Sequence, residues 1–329
     1  MRAFEYASPA NMNQALRLLG NSWDDAAPLA GGTDLLSLMK DDIVSPRRLV
    51  NIKDLGALRG ITLSKAGLRV GTLTTIEELA DNAQVRQAYP VISRTASEIA
   101  GPQIRNMATI GGNLCQRPRC WYYRGGFGLL AKDQKGESLV PNGDNRYHAI
   151  LGNSGPAYFV SPSTLAPLLI ALGTRLRLVG PKGKREIPLE KFYLTPTSET
   201  EREHDLKPNE IVTEIMFPPL AGAKSATYEV RQKETMDWPL ALAAVVLNLK
   251  NGKVSAAHVL MGAVAPVPWR SSEAEATLIG KTISEDVALA AGNAAVTNAR
   301  SLGHNGYKIQ LARIAVKRAI MSAIEGGPK

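Results

Sequence analysis

The sequence predicts an α+β protein of two domains, the first of which is divided into two lobes. Three observations predict this fold. A strand, a glycine-rich turn and a helix follow one another within residues 26–39, and a second glycine segment at residues 109–113 follows a later helix. The chain then ends in three closely spaced strands and three helices. A length of 329 residues leaves room for about two domains of ordinary size.

The N-terminal part of the chain alternates short helices and strands. Residues 68–73 alternate in polarity as a strand does, and the spacing of Thr75 and Glu78 resembles a capping box at the start of a helix. Periodicity predicts helices over residues 13–19, 35–39, 75–82 and 89–100, and strands over residues 26–29, 48–52 and 68–73.

Residues 114–155 contain many glycines, prolines and charges, and the segment is too long to be a plain connector. Regular patterning resumes at residues 158–160. A helix over residues 165–172 follows, then a hairpin with strands at 175–179 and 185–189. Residues 218–224, which begin with two prolines, favour a linker between domains.

The C-terminal part is predicted to be a sheet covered by helices. Strands are expected over residues 227–232, 242–250 and 254–262, with a tight turn at Asn251 and Gly252. Helices are expected over residues 271–278, 284–299 and 306–324. We therefore predict two domains that are separated at residues 218–224.

Composition excludes several classes of protein. No apolar run reaches the roughly 20 residues that span a bilayer, and the first residues contain no apolar signal segment. We therefore expect a cytoplasmic location, unless a partner with a signal carries the chain out. Cys115 and Cys120 are the only cysteines, too few for a secreted disulfide framework.

The chain is basic, with 39 Lys and Arg against 30 Asp and Glu and a net charge of +9. The basic residues are scattered, and aromatic residues make up only 5% of the chain. This pattern favours a solvated face and docking to another subunit, and it argues against nucleic-acid binding. The densest basic stretch, residues 308–318, fits one face of the last helix.

The two glycine segments, residues 30–35 and 109–113, carry the clearest chemical signal. Glycine lets a large ligand approach the backbone, and Thr33, Thr109 and Asn113 add polar side chains. Neither segment is a dinucleotide fingerprint or a P-loop; Gly280, Lys281 and Thr282 end like a P-loop, but Glu275 replaces its first glycine. Two such segments predict one extended phosphate-containing ligand between two lobes.

No catalytic constellation accompanies the glycine segments. The four histidines show no metal-ligand spacing, and no Ser-His-Asp set or carboxylate pair is evident. Cys115 and Cys120 fit small apolar residues better than redox centres. We expect no metal site and no catalytic acid or base in this chain.

Five segments together resemble the FAD-binding (medium) subunits of the molybdenum hydroxylases, the group of xanthine dehydrogenase, carbon monoxide dehydrogenase, 4-hydroxybenzoyl-CoA reductase and periplasmic aldehyde oxidoreductase. The likeness runs along the whole chain. It is carried by residues 30–34, 105–113, 161–167, 241–247 and 262–270.

The resemblance implies a two-lobed FAD-binding domain of the vanillyl-alcohol oxidase type over residues 1–222, with lobes at about 1–57 and 58–222 and an insertion at 115–154. An α+β domain like the C-terminal domain of the carbon monoxide dehydrogenase flavoprotein would follow over residues 223–329. The segments at 28–35 and 109–113 would hold the FAD pyrophosphate, and Ile99 and Ile211 would make apolar contacts. The expected cofactor-binding residues are Pro28, Leu29, Ala30, Gly31, Gly32, Thr33, Asp34, Leu35, Ile99, Thr109, Ile110, Gly111, Gly112, Asn113, Thr164 and Ile211.

Two positions depart from the family pattern. Thr164 stands where an aspartate usually contacts FAD, and Glu229 stands where a lysine is often found near the flavin, so Arg231 or Lys233 would supply the charge. Asp34 has two open roles, at the start of a helix or near the flavin ring.

The insertion resembles the subgroup in which this loop binds a [4Fe-4S] cluster, but two cysteines cannot ligate a cubane. We expect the loop to persist without iron, packed through Trp121, Tyr122, Tyr123 and Phe127 against the FAD-binding domain or the partner subunit.

The resemblance implies an electron-transfer subunit. A large partner would carry the molybdenum cofactor (molybdopterin), a small partner the [2Fe-2S] centres, and FAD here would pass electrons to an external acceptor, in a heterotrimer or its dimer. The alternatives are a self-sufficient FAD oxidase or NADH reductase, and a non-catalytic nucleotide-binding regulatory module. Replacing Gly32 or Gly111 with valine is expected to abolish FAD retention without loss of the fold.

Overall fold

The computed structural model describes residues 1–220, 222–233 and 236–326. Its first sheet is parallel, with strand order β1-β3-β2. The Asn11 side chain caps the first helix by accepting the Gln14 N–H at 3.0 Å. The elements are β1 (Glu5–Ala7), α1 (Met12–Leu18), β2 (Ala26–Leu29), α2 (Leu35–Lys40) and β3 (Arg48–Asn51).

The second sheet is antiparallel, with five strands in the order β4-β5-β8-β6-β7. Its strands are β4 (Ile61–Ser64), β5 (Gly67–Gly71), β6 (Arg175–Gly180), β7 (Gly183–Pro188) and β8 (Ile211–Phe217). Its helices are α3 (Ile76–Asp81), α4 (Ala83–Ala88), α5 (Pro90–Ser97), α6 (Pro102–Arg105), α7 (Ile110–Cys115), α8 (Trp121–Arg124) and α9 (Leu165–Ala171). Every residue of α9 is buried, so this helix forms the centre of the core.

The third sheet is also antiparallel, in the order β12-β11-β10-β9, and three helices accompany it. Alanines of the helices meet the valines and alanines of β10 and β11 in one core. Small side chains let the long last helix lie close to the sheet. The elements are β9 (Lys224–Arg231), β10 (Pro239–Lys250), β11 (Lys253–Gly262), β12 (Trp269–Arg270), α10 (Ser272–Leu278), α11 (Glu285–Ala295) and α12 (Tyr307–Glu325).

Most predicted elements are confirmed to within a few residues, including the Thr75–Glu78 capping box and the hairpin turn, where Asn251 and Gly252 both have positive φ. Three features differ. Strands β1, β4, β8 and β12 were not predicted, the short helices α4 and α6–α8 were not predicted, and α11 ends before the predicted residue 299. The predicted linker contains residue 221, which lies outside the described residues.

The insertion folds over the start of α2. Tyr123 is buried in a small core with Leu38, Leu130 and Phe159, and Trp121 contacts Tyr147 with ring centroids 5.3 Å apart. Phe127 contacts Tyr122 but is 52% exposed, so it is not buried against the FAD-binding domain, and its packing against a partner subunit stays a prediction. Tyr123 is the residue that anchors the insertion.

Candidate cofactor site

The first glycine segment connects β2 to α2 and offers free backbone donors. None of the N–H groups of residues 30–35 donates a hydrogen bond to any residue that the structure describes; Leu36 is the first to do so, to the Gly32 carbonyl at 3.0 Å. Gly32 has a φ of +73°, which favours glycine. A run of unpaired N–H groups is suited to bind a phosphate.

The second glycine segment differs from the expectation that it also presents bare N–H groups. Gly111 donates to the Thr72 carbonyl at 3.0 Å, and Gly112 donates to the Thr109 hydroxyl at 3.1 Å, which caps α7. The Asn113 amide oxygen accepts from Ser163 at 2.7 Å, which leaves its NH₂ group as the donor. This segment therefore contributes one side-chain donor and a surface without side chains.

Three neighbouring cavities lie along the two glycine segments, and Gly112 lines all three. We name them by one residue each: the Trp23 cavity (about 170 Å³), the Ile211 cavity (about 100 Å³) and the Ile99 cavity (about 230 Å³). The predicted residues that line them are Pro28, Ala30, Gly31, Gly32, Thr33, Asp34, Leu35, Ile99, Thr109, Gly111, Gly112, Asn113, Thr164 and Ile211.

Two predicted residues lie elsewhere. Leu29 and Ile110 are buried in hydrophobic clusters and line none of these cavities. Their side chains support the segments from behind.

The glycines of the site serve different purposes. A Cβ at Gly31 would lie 1.8 Å from the Met107 carbonyl oxygen, and one at Gly111 would lie 1.8 Å from the Thr72 hydroxyl. A Cβ at Gly112 would meet only the Thr109 hydroxyl, at 3.1 Å. The expectation that the Gly111→Val variant keeps its fold is therefore wrong, and Gly112 is the glycine that keeps the cleft open.

Asp34 lies at the start of α2, which is one of its two expected roles, but its carboxylate does not cap the helix. It accepts the Arg117 N–H at 2.8 Å and lies 2.7 Å from Arg124 and 3.1 Å from Arg119. These contacts tie the insertion to the first glycine segment. The guanidiniums of Arg119 and Arg124 outnumber the Asp34 carboxylate, and that of Arg117 is paired with Glu203, so this part of the cleft keeps a net positive charge.

Of the two basic residues expected near the flavin, Arg231 lines the Ile99 cavity, where Arg119 adds a second positive charge, whereas Lys233 is exposed and lines none of the three cavities. The Arg231 guanidinium pairs with the Glu229 carboxylate at 2.5 Å and donates to the Glu98 carbonyl at 2.9 Å. Burial raises the pKa of Glu229 to about 7, although Arg231 opposes this rise. Glu229 therefore orients Arg231. Thr164 lines the same cavity without charge.

The Trp23 cavity is also lined by three residues that were not predicted, namely Trp23, Arg117 and Arg202. Arg202 lies over the Trp23 ring at 4.4 Å, and Arg117 forms a buried ion pair with Glu203 at 2.9 Å. Nothing in the sequence spacing relates residues this far apart. The cation–π contact holds Trp23 and Arg202 together at the rim.

The two cysteines occupy different environments. Cys115 is enclosed, and burial raises its pKa to about 12. The Cys120 Sγ lies 3.1 Å from His148 Nε2. Among the described residues, no three His, Cys, Asp or Glu side chains are grouped so that they could hold a metal. No described helix has the length and apolarity needed to cross a bilayer.

Comparison with known proteins identifies two family profiles. The profile described as the FAD binding domain in molybdopterin dehydrogenase matches residues 2–220, and the profile of the CO dehydrogenase flavoprotein C-terminal domain matches residues 226–323.

Individual relatives are similar over their whole length. The chain is 30% identical to the carbon monoxide dehydrogenase medium chain of Hydrogenophaga pseudoflava (97% of this chain, 96% of the relative). It is 31% identical to the aldehyde oxidoreductase FAD-binding subunit of Escherichia coli K12 (98% and 99%). A chain in the crystal structure of the Hydrogenophaga enzyme superposes with a TM-score of 0.77 at 30% identity, over 99% of both chains.

The free N–H groups, the open surface at Gly112 and the charged cavities fit an extended diphosphate cofactor, and the family profiles name that cofactor as FAD. The chain belongs to the family of FAD-binding subunits of molybdopterin dehydrogenases and is a subunit of an FAD-dependent oxidoreductase.

Proposed function

We propose that this chain holds the FAD diphosphate on the free N–H groups of residues 30–35, opposite Gly112 and Asn113. The observation that carries this proposal is the run of unpaired donors beside a glycine that no side chain covers. The arginines held by Asp34 add positive charge close to that segment. The diphosphate would thus replace the missing hydrogen-bond acceptors.

The cavities on either side supply the ends of the site. The Ile211 cavity is lined by Ile52, Leu73, Leu206 and Ile211 and would hold the adenine end. The Ile99 cavity would hold the flavin ring, since Arg231 there can stabilise the negative charge that a flavin gains on reduction. FAD supplies the redox chemistry, and the protein supplies position and charge.

In the complex, we propose one larger partner with the molybdenum cofactor and one smaller partner with [2Fe-2S] centres, in a heterotrimer or its dimer, located in the cytoplasm. FAD would take electrons from the smaller partner and pass them to an external acceptor. The whole-length likeness to a medium chain and to an FAD-binding subunit supports this arrangement. We further propose that the two domains of the chain meet near residue 222.

Three measurements test the proposal: the FAD content, the partners that are captured and the activity of the isolated chain. The purified chain should contain about one FAD, and affinity capture from its native host should recover one larger and one smaller chain with iron and molybdenum. The isolated FAD-loaded chain should not oxidise aldehydes, purines or carbon monoxide, because it lacks the substrate site. Turnover of any of these by the isolated chain, or a purified chain that binds no FAD, would overturn the proposal.

A further inference from the structure

A fourth cavity, of about 200 Å³, lies next to the Ile99 cavity. We name it the Trp121 cavity. Its walls come from the insertion, from residues 159–164 and from strands β10 and β11, with Lys308 of α12 also contributing. It shares five lining residues with the Ile99 cavity, and these form the partition between the two: Arg119, Thr164, Asp237, Trp238 and Pro239.

Aromatic side chains dominate one part of the wall. Trp121 and Tyr147 are in ring contact at 5.3 Å, and Arg119 lies over the Trp238 ring at 4.7 Å. Rings and a guanidinium plane favour a planar ligand that can stack. The volume is below the 300–1,000 Å³ or so of drug-sized pockets, so the ligand would have one or two rings.

The polar groups in the wall are mostly donors. Among the described residues, Arg119 Nε, His148 Nδ1 and Ser161 Oγ are buried without a hydrogen-bond partner, and all three residues line this cavity. If the Cys120 thiol donates to His148 Nε2, then Nδ1 carries the proton and is a donor. Asp237 is the one acidic residue among those lining the cavity. Unpaired donors favour a ligand with acceptor oxygens.

Lys308 closes the cavity at its base. Its ammonium donates to the carbonyls of Ala263 at 2.7 Å and of Tyr147 and His148 at 3.1 Å. These three bonds saturate the ammonium. The base is therefore rigid, and recognition is left to the ring-lined wall and the unpaired donors.

We propose that the Trp121 cavity binds a small quinone, whose ring stacks on Trp121 and Tyr147 and whose carbonyl oxygens accept hydrogen bonds from the wall. Its role as electron acceptor rests on the proposed function, since it requires flavin in the Ile99 cavity. Reduced FAD would supply two electrons, which would cross the partition at Arg119 and Trp238, and would release two protons to water. The quinone would take up two protons from water, so that both of its carbonyls become hydroxyls.

Binding is tested on the full-length chain with duroquinone, a fully methylated quinone that resists addition of thiols. Calorimetry should show saturable binding with a stoichiometry of one. Durene, which has the same shape without oxygens, should bind at least tenfold more weakly. Absence of duroquinone binding, or equal binding of durene, would overturn the proposal.

Variants locate the binding. Trp121→Leu and Tyr147→Leu should each weaken duroquinone binding about threefold to tenfold, and both positions are partly exposed, so the fold should survive. The matched control is Phe127→Leu, an exposed aromatic residue of the same insertion that lines none of the four cavities and should bind as wild type does. Equal affinity in all four proteins would place the ligand elsewhere and refute the assignment.

Two further measurements, FAD content and the rate of FAD reoxidation, distinguish a failure of this inference from a failure of the proposed function. FAD content is measured in every variant and should be unchanged. Val160→Phe, which fills the cavity, should slow reoxidation of photoreduced FAD by duroquinone at least fivefold. An unchanged rate would refute the acceptor role. Duroquinone binding by a chain that retains no FAD would support the quinone site and count against the proposed function instead.

Discussion

The Gly112→Ala variant tests the cofactor site most directly, because it adds one methyl group to the surface that lines three cavities. A Cβ there meets only the Thr109 hydroxyl, at 3.1 Å. Alanine substitutions at Gly31 and Gly111 cannot be used for this test, since a Cβ at either position would lie 1.8 Å from an atom of another part of the chain. The Gly112→Ala variant therefore separates cofactor binding from folding.

The expected magnitudes follow from the position of Gly112 within α7 (Ile110–Cys115). Alanine favours a helix over glycine by about 0.8–1.0 kcal/mol, and the tight contact with Thr109 offsets part of that gain. The free energy of unfolding of the FAD-free chain should thus change by less than about 1 kcal/mol. Crowding the diphosphate should cost about 1–3 kcal/mol of binding energy, which raises the FAD Kd about fivefold to 150-fold.

The assay pairs urea unfolding of the FAD-free proteins with FAD titration followed by flavin fluorescence. Gly56→Ala is the matched control, because a Cβ at this exposed glycine meets nothing within 4 Å and φ is ordinary. The control should bind FAD as wild type does. A Gly112→Ala chain of normal stability and unchanged FAD Kd would refute the placement of the diphosphate.

Three further predictions follow from charges around the site. Arg231→Leu should lower the FAD midpoint potential by roughly 20–60 mV, because a lost charge interaction of about 1–3 kcal/mol no longer stabilises the reduced form; an unchanged potential in spectroelectrochemical titration would contradict this. Asp34→Asn should loosen the insertion and speed limited proteolysis within residues 115–154 several-fold, because Arg119 and Arg124 lose their partner. The control variant Asp81→Asn, at an exposed position, should be digested as wild type is, and equal digestion rates of the two variants would show that the arginine contacts are dispensable. Burial lowers the pKa of both His148 and His204 to about 4, so the unfolded state takes up protons first as pH falls from 6.5 to 4, which should cost roughly 2–3 kcal/mol of stability per histidine. Glu229, whose pKa burial raises to about 7, acts in the opposite direction over the same range, so wild type is compared with His204→Phe: the urea midpoint of wild type should fall more steeply from pH 7 to pH 4.5, and equal pH dependence in the two proteins would exclude this.

The sequence by itself determined the features that depend on neighbouring residues. The capping box at Thr75 and the turn at Asn251 and Gly252 use bonds and φ angles within four residues, so their patterns are visible in the chain. The two glycine segments were recognised for the same reason. Strands β1 and β8 were missed because they gain their hydrogen bonds from partners far away in the chain, β3 for β1 and β5 and β6 for β8. Strand β4 was missed although it forms a hairpin with the neighbouring β5.

The tertiary structure alone decided which groups of the site are free. The sequence treats both glycine segments alike, but the N–H groups of Gly111 and Gly112 are used by Thr72 and Thr109, and those of residues 30–35 are not. Asp34 and the arginines of the insertion lie far apart in the chain and meet only after folding. Hydrogen-bond satisfaction and charge pairing depend on distances in space, which residue order does not specify. For that reason, the cofactor could be inferred from the sequence, whereas the identity of the groups free to hold it could not.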